Sequence, residues 1–86
     1  MADRIIANAG DWAVSTDGLQ WILQRRRRMG SRQGWRALSF VHSSRDILAR
    51  CMREAGVDVV TASQLLAGLP DTLDEWKMHQ TIEAVA

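Results

Sequence analysis

At 86 residues, 47% hydrophobic and 24% charged, the chain has the make-up of one small soluble domain, 1–86, whose single core must serve every element. Its apolar runs are only a few residues long, which excludes a membrane-spanning helix, and the opening Met-Ala-Asp-Arg-Ile-Ile lacks the layout of a secretory signal. One cysteine, Cys51, excludes a disulfide framework and makes a reducing cytoplasm the expected setting.

Residues 1–41 carry the pattern of an antiparallel meander. Arg4–Ala7 is a candidate first strand, followed by turn chemistry at Asn8-Ala9-Gly10. Asp11–Thr16 alternates, with Trp12, Val14 and Thr16 on one side, and Asp17-Gly18 is the dipeptide of a two-residue type I′ hairpin. That turn would pair Thr16 with Leu19, Val14 with Trp21 and Trp12 with Leu23, which gathers the large apolar residues except Ile22 on one face. A slip of one residue would scatter them.

The second strand continues into Arg25-Arg26-Arg27-Arg28. Met29–Gly34, with two Gly, a Ser and a Gln, has the composition of a flexible loop, and Trp35–Val41 is the return strand. A regular hairpin places Arg28 opposite Trp35, Arg25 opposite Leu38 and Leu23 opposite Phe40. Leu38 and Phe40 are then expected in the core with Leu19, Trp21 and Leu23. Ile22, Gln24, Arg26, Arg28, Trp35, Ala37, Ser39 and Val41 fall on the other face.

Residues 44–86 carry helical signals. Ser43-Ser44 with Asp46 caps a helix whose apolar stripe is Ile47, Leu48, Cys51, Met52 and Ala55, and Gly56 ends it. Thr61 to Gln64 has capping-box spacing and predicts a short helix with Leu65 and Leu66, closed by Gly68. Pro70 breaks the chain, and Asp71-Thr72 with Asp74-Glu75 starts a third helix containing Leu73, Trp76 and Ile82. The expected fold class is therefore α+β: a three- or four-stranded antiparallel β-meander followed by two or three helices packed on one sheet face.

Charge is distributed far less evenly than the net +1 suggests. Residues 25–53 hold nine arginines against Asp46 alone, whereas 54–86 hold Lys77 against six carboxylates. Such a division calls for an anionic partner, or for a match between basic and acidic faces within the chain or across a homodimer. Arginine in place of lysine favours planar, two-pronged contacts to carboxylate or phosphate. The candidate binding residues are Arg25, Arg26, Arg27, Arg28, Arg32, Trp35 and Arg36, with Trp35 the tryptophan expected at the surface. Because strand residues alternate, the four consecutive arginines divide between two faces and wrap a tip of the sheet.

Catalysis has little support in the residues. His42 and His79 are the only histidines, no nucleophile–base set is legible, and Cys51 sits on a helix stripe where a small buried hydrophobe is expected. Neither histidine has metal-ligand spacing to Cys51, and no glycine-rich phosphate loop precedes a helix, so no metal and no cofactor is implied. A non-enzymatic binding protein is the expectation.

Three stretches resemble small proteins carried by bacteriophages and integrated elements. They are Asp17-Gly-Leu-Gln-Trp-Ile-Leu, then Gly34-Trp-Arg-Ala-Leu-Ser-Phe-Val with Ser44-Arg-Asp-Ile-Leu, then Leu69-Pro-Asp-Thr-Leu-Asp-Glu-Trp76. Proteins of that kind include the anti-CRISPR inhibitors, which are non-catalytic and bind a host effector complex, often at its nucleic-acid-binding surface. The resemblance implies a host protein or ribonucleoprotein complex as partner, in the bacterial cytoplasm and away from membranes. The alternative is a module that itself binds RNA or single-stranded DNA.

Overall fold

The computed structural model describes residues 4–29 and 32–78, and of residues 28, 29, 32 and 33 the backbone alone. Four strands, β1 (Arg4–Ala9), β2 (Trp12–Thr16), β3 (Trp21–Met29) and β4 (Arg32–Val41), form one antiparallel sheet in sequence order. Helices α1 (Arg45–Ala55) and α2 (Val59–Leu66) follow, then a third helix over 73–78. The architecture is α+β, as the sequence pattern predicts. No helix among the described residues is long and apolar enough to cross a membrane.

The β1–β2 turn is tighter and later than expected. Ala9 pairs with Trp12, leaving Gly10 and Asp11 as the turn, and Gly10 has φ +58, as a type II′ turn requires at its first central position. The next turn is longer than expected. Thr16 pairs with Trp21, so Asp17–Gln20 is a four-residue loop in place of a two-residue one. A type I′ turn would put Asp17 at positive φ, but Gly18 alone in this loop adopts it. Side chains close the loop. The Thr16 hydroxyl donates to the Gln20 carbonyl at 2.8 Å and accepts from the Gly18 N–H, while Asp17 accepts from the Leu19 N–H and from the Gln20 amide. The register slides by two residues, Val14 to Leu23 and Trp12 to Arg25, which leaves every side chain on its predicted face. Leu19 is swung out of the core and is 70% exposed.

The β3–β4 hairpin departs further. Both strands extend almost to each other, with Met29 opposite Arg32, so Arg32 begins β4 where a loop position was expected. The pairing then runs Arg26 to Trp35, Arg25 to Arg36 and Gln24 to Ala37, and jumps to Leu23 with Ser39. Leu38 is the extra residue of a β-bulge. Beyond the bulge the register differs by one from that expected, which exchanges the faces of β4. Val41, opposite Trp21, is 2% exposed and joins the core, whereas Phe40 and Leu38 are 57% and 40% exposed. Phe40 instead lies opposite Ile22 on the far face of the sheet.

The core joins Val14, Trp21, Leu23 and Val41 of the sheet to Leu48 and Met52 of α1, Val57, Leu65 of α2, Leu69, Leu73 and Trp76. Cys51 and Ala55 complete the α1 stripe, but Ile47 stands at its margin and is exposed. Ser44, not Ser43, caps α1 by accepting from the Ile47 N–H, and Gly56 at φ +94 ends it. The second helix starts two residues before Thr61. Asp58 caps it, accepting from both the Thr61 N–H and the Thr61 hydroxyl, and Ala67 ends it before Gly68. Thr72 caps the third helix by accepting from the Glu75 N–H. Ile82 and His79 lie outside the described residues.

A latch ties the third helix to the start of α1. The Arg45 N–H donates to the Asp71 carbonyl at 2.8 Å and the Leu73 N–H to the Ser43 carbonyl at 2.9 Å. The Arg45 guanidinium spans the same gap, donating to the Leu69 carbonyl and to the Asp71 carboxylate, both at 3.1 Å.

Two outcomes test this packing. Val41→Ser should destabilise by about 2–3 kcal/mol, since it removes a buried aliphatic side chain and places a hydroxyl in the core, while Phe40→Ser should change little; urea melts measure both. Hydrogen bonds from Gln20 and the Leu19 N–H hold the Asp17 carboxyl below its ordinary value of 3.8, as those from Thr61 hold Asp58. Depressed folded-state values mean stabilisation that is present above about pH 4 and lost as pH falls through them. The Asp17→Asn, Asp58→Asn double variant should therefore show a flatter acid limb in a pH titration of melting temperature.

Candidate anion-binding arm

The last rung between β2 and β3 is Trp12 with Arg25, extended by the Arg26 N–H donating to the Asp11 carbonyl. Three further rungs, Arg27–Gly34, Arg28–Gln33 and Met29–Arg32, join β3 and β4 alone. The end of the hairpin is thus a two-stranded arm that overruns the sheet. All six arginines of β3 and β4 stand on it or at its base.

Ladder parity sorts them. Arg25, Arg27 and Arg36 share the face that carries Leu23 and Trp12, and Arg26 shares the opposite face with Trp35. Each face has its own arginine–indole stack. The Arg25 guanidinium lies 5.3 Å from the centre of the Trp12 ring, and that of Arg26 lies 5.1 Å from the centre of the Trp35 ring. An indole face attracts a cation and leaves the guanidinium edge donors turned outward, so each stack fixes an arginine without using up its hydrogen bonds.

Trp35 is consequently half-buried and paired with Arg26, where an exposed ring opposite Arg28 was expected. Trp12 is the partner that sequence reasoning missed. With the two-residue turn, Leu23 stood opposite Trp12; the four-residue loop brings Arg25 there. The twist at the bulge also draws the two faces together, since Arg25, Arg26, Arg27, Arg36 and Leu38 line one open depression. Leu38 was expected in the core and instead floors this basic hollow.

The electrostatics of the arm are unfavourable to the free protein. Arg25 and Arg36 sit directly opposite on adjacent strands, an arrangement of like charges that costs stability. Arg27 and Arg36 have no carboxylate partner among the described residues. Elsewhere the arginines are used structurally, Arg45 with Asp71 and Arg50 with Glu54. The basic segment therefore divides into helix arginines that serve the fold and arm arginines that do not.

The other candidates stay separate. His42 is exposed just after β4, and Cys51 is a free, half-buried thiol packed against the core on α1. Among the described residues no three His, Cys, Asp or Glu side chains converge as metal ligands would. Comparison with known protein families, with curated proteins and with solved structures finds no match for the chain.

Arg36→Glu should separate stability from binding. It replaces a like-charge pair across the ladder with an opposite-charge one, so melting temperature should rise by a few degrees, equivalent to about 0.5–1 kcal/mol, while elution from immobilised heparin moves to lower salt.

Proposed function

We propose that this chain is a non-catalytic binding protein that uses the β3–β4 arm to occupy an anionic surface, and that it works as a stoichiometric inhibitor of a host defence complex of the CRISPR-Cas kind. The observation that carries the reading is the placement of six arginines on one overrunning hairpin, where Arg27 and Arg36 lack carboxylate partners among the described residues and Arg25 faces Arg36. A fold gains nothing from that arrangement unless a polyanion completes it. The partner is a host protein or ribonucleoprotein complex in the bacterial cytoplasm, contacted at acidic side chains or nucleic-acid phosphates. The resemblance to small phage and mobile-element proteins supplies the biological setting.

A second reading, a module that binds nucleic acid in its own right, is favoured by the arm's geometry. It requires affinity for naked nucleic acid that falls steeply with salt, the mark of counterion release.

The inhibitor reading predicts that the chain, produced in bacteria with an active RNA-guided defence, restores transformation by a targeted plasmid. It also predicts that the Arg27→Glu, Arg36→Glu variant does not. Neither residue is tied into the fold, so circular dichroism should show an unchanged melt. Equal protection by the variant would remove the arm from the interface, and absence of protection by the wild type across reconstituted effector types would remove the inhibitory role.

A further inference from the structure

We infer that the arm is shaped to enter the major groove of double-stranded DNA, an inference that rests on the arm being an anion-binding surface and names what that anion is. Arginines on both sides of the arm carry the argument. Arg27 and Arg36 face one way and Arg26 the other, so a flat acidic protein surface or a single extended peptide could meet only one set at a time. A groove has a phosphate wall on each side and meets both.

Dimensions agree. B-DNA's major groove, about 12 Å wide and about 8.5 Å deep, admits a two-stranded β-ribbon. The three rungs beyond β2, Arg27–Gly34 to Met29–Arg32, extend the arm by about 10 Å at the rise of an antiparallel strand. Its tip can therefore reach the groove floor while Arg25, Arg26 and Arg36 at its base remain level with the phosphates. Gly34, opposite Arg27, keeps the arm slim at mid-length. The major groove of double-stranded RNA is deep and too narrow for this ribbon.

Single strands are disfavoured by the same stacks that order the arginines. Binding of unpaired bases relies on open aromatic faces, but Trp35 lies under Arg26 and Trp12 lies under Arg25 and against the core. The arm presents guanidinium edges, which suit phosphates and guanine edges, in place of free rings.

Fluorescence anisotropy with the intact protein and four labelled probes decides the matter: a DNA duplex of roughly 20 base pairs, about two helical turns, one of its strands alone, the matching RNA duplex, and a polyglutamate peptide. The DNA duplex should bind at least about tenfold tighter than the other three. Its log affinity should fall against log salt with a slope of about −4 to −5, the release expected for about five phosphate contacts. Arg27→Glu with Arg36→Glu should abolish this binding, and preloading the duplex with a minor-groove ligand should leave it unchanged. Polyglutamate, the single strand or duplex RNA binding as well as duplex DNA, with loss in the double variant, would overturn the groove inference and leave the anion-binding arm standing. Competition by the minor-groove ligand would overturn the major-groove assignment. Binding to none of the probes, or binding indifferent to the double variant, would overturn both.

Discussion

Leu38 has no partner in β3, and the position of that unpaired residue decides both what the helices cover and where the arginines stand. Above it, Trp21–Val41 and Leu23–Ser39 pairing turns Val41 toward α1 and Phe40 away. Below it, the ladder is displaced by one residue, which sets Arg26 opposite Trp35 and Arg25 opposite Arg36. Without the bulge, one of these arrangements would be lost, because strand side chains alternate and a shift of one exchanges the faces. The bulge also sharpens local twist, and the depression shared by Leu38 and four arginines lies beside it.

The bulge has a second consequence. β1 and β4 are the two edges of the sheet, and each carries an irregularity, between Ile5 and Ala7 in the one and at Leu38 in the other. Open edges invite pairing with another chain, and a bulge together with charge along the edge discourages it. Arg36 in β4 therefore acts against edge-to-edge association as well as for anion binding. Stability for the whole comes from elsewhere: the α1–α2 layer over Val14, Trp21 and Leu23, and the Arg45 latch between α1 and the third helix. The arm is free to be electrostatically unfavourable because the core does not depend on it.

Much of the fold was legible because binary patterning is insensitive to errors of two. The Asp17-Gly18 signal placed the first long hairpin correctly in space although the loop is four residues, since sliding by two preserves every face. Errors of one are not forgiven. Treating Met29–Gly34 as a loop and β4 as regular sent Leu38 and Phe40 inward, and no local propensity marks Leu38 as a bulge. A useful signal was present: Gly30-Ser31 is a dipeptide suited to a two-residue hairpin, which would have extended both strands to Met29 and Arg32. Helix caps were blurred in the same way, Ser44 and Asp58 taking roles assigned to Ser43 and Thr61, because neighbouring Ser, Thr and Asp side chains compete for the same N–H groups. The arginine site was visible as composition. Its two indole platforms were not, because Trp12 meets Arg25 only through the loop length that fixes the register.

The central claim is that the arm, not the helices or the open sheet face, is the working surface. An amide-resolved NMR titration of the labelled protein with a phosphate polyanion tests it most directly. Shifts confined to Arg25–Met29 and Arg32–Arg36, with movement of the Trp12 and Trp35 indole N–H signals, are the predicted result. Shifts centred on the exposed Val59 and Val60 of α2, or on Ile5 and Phe40 across the far face, with the arm unmoved, would contradict it.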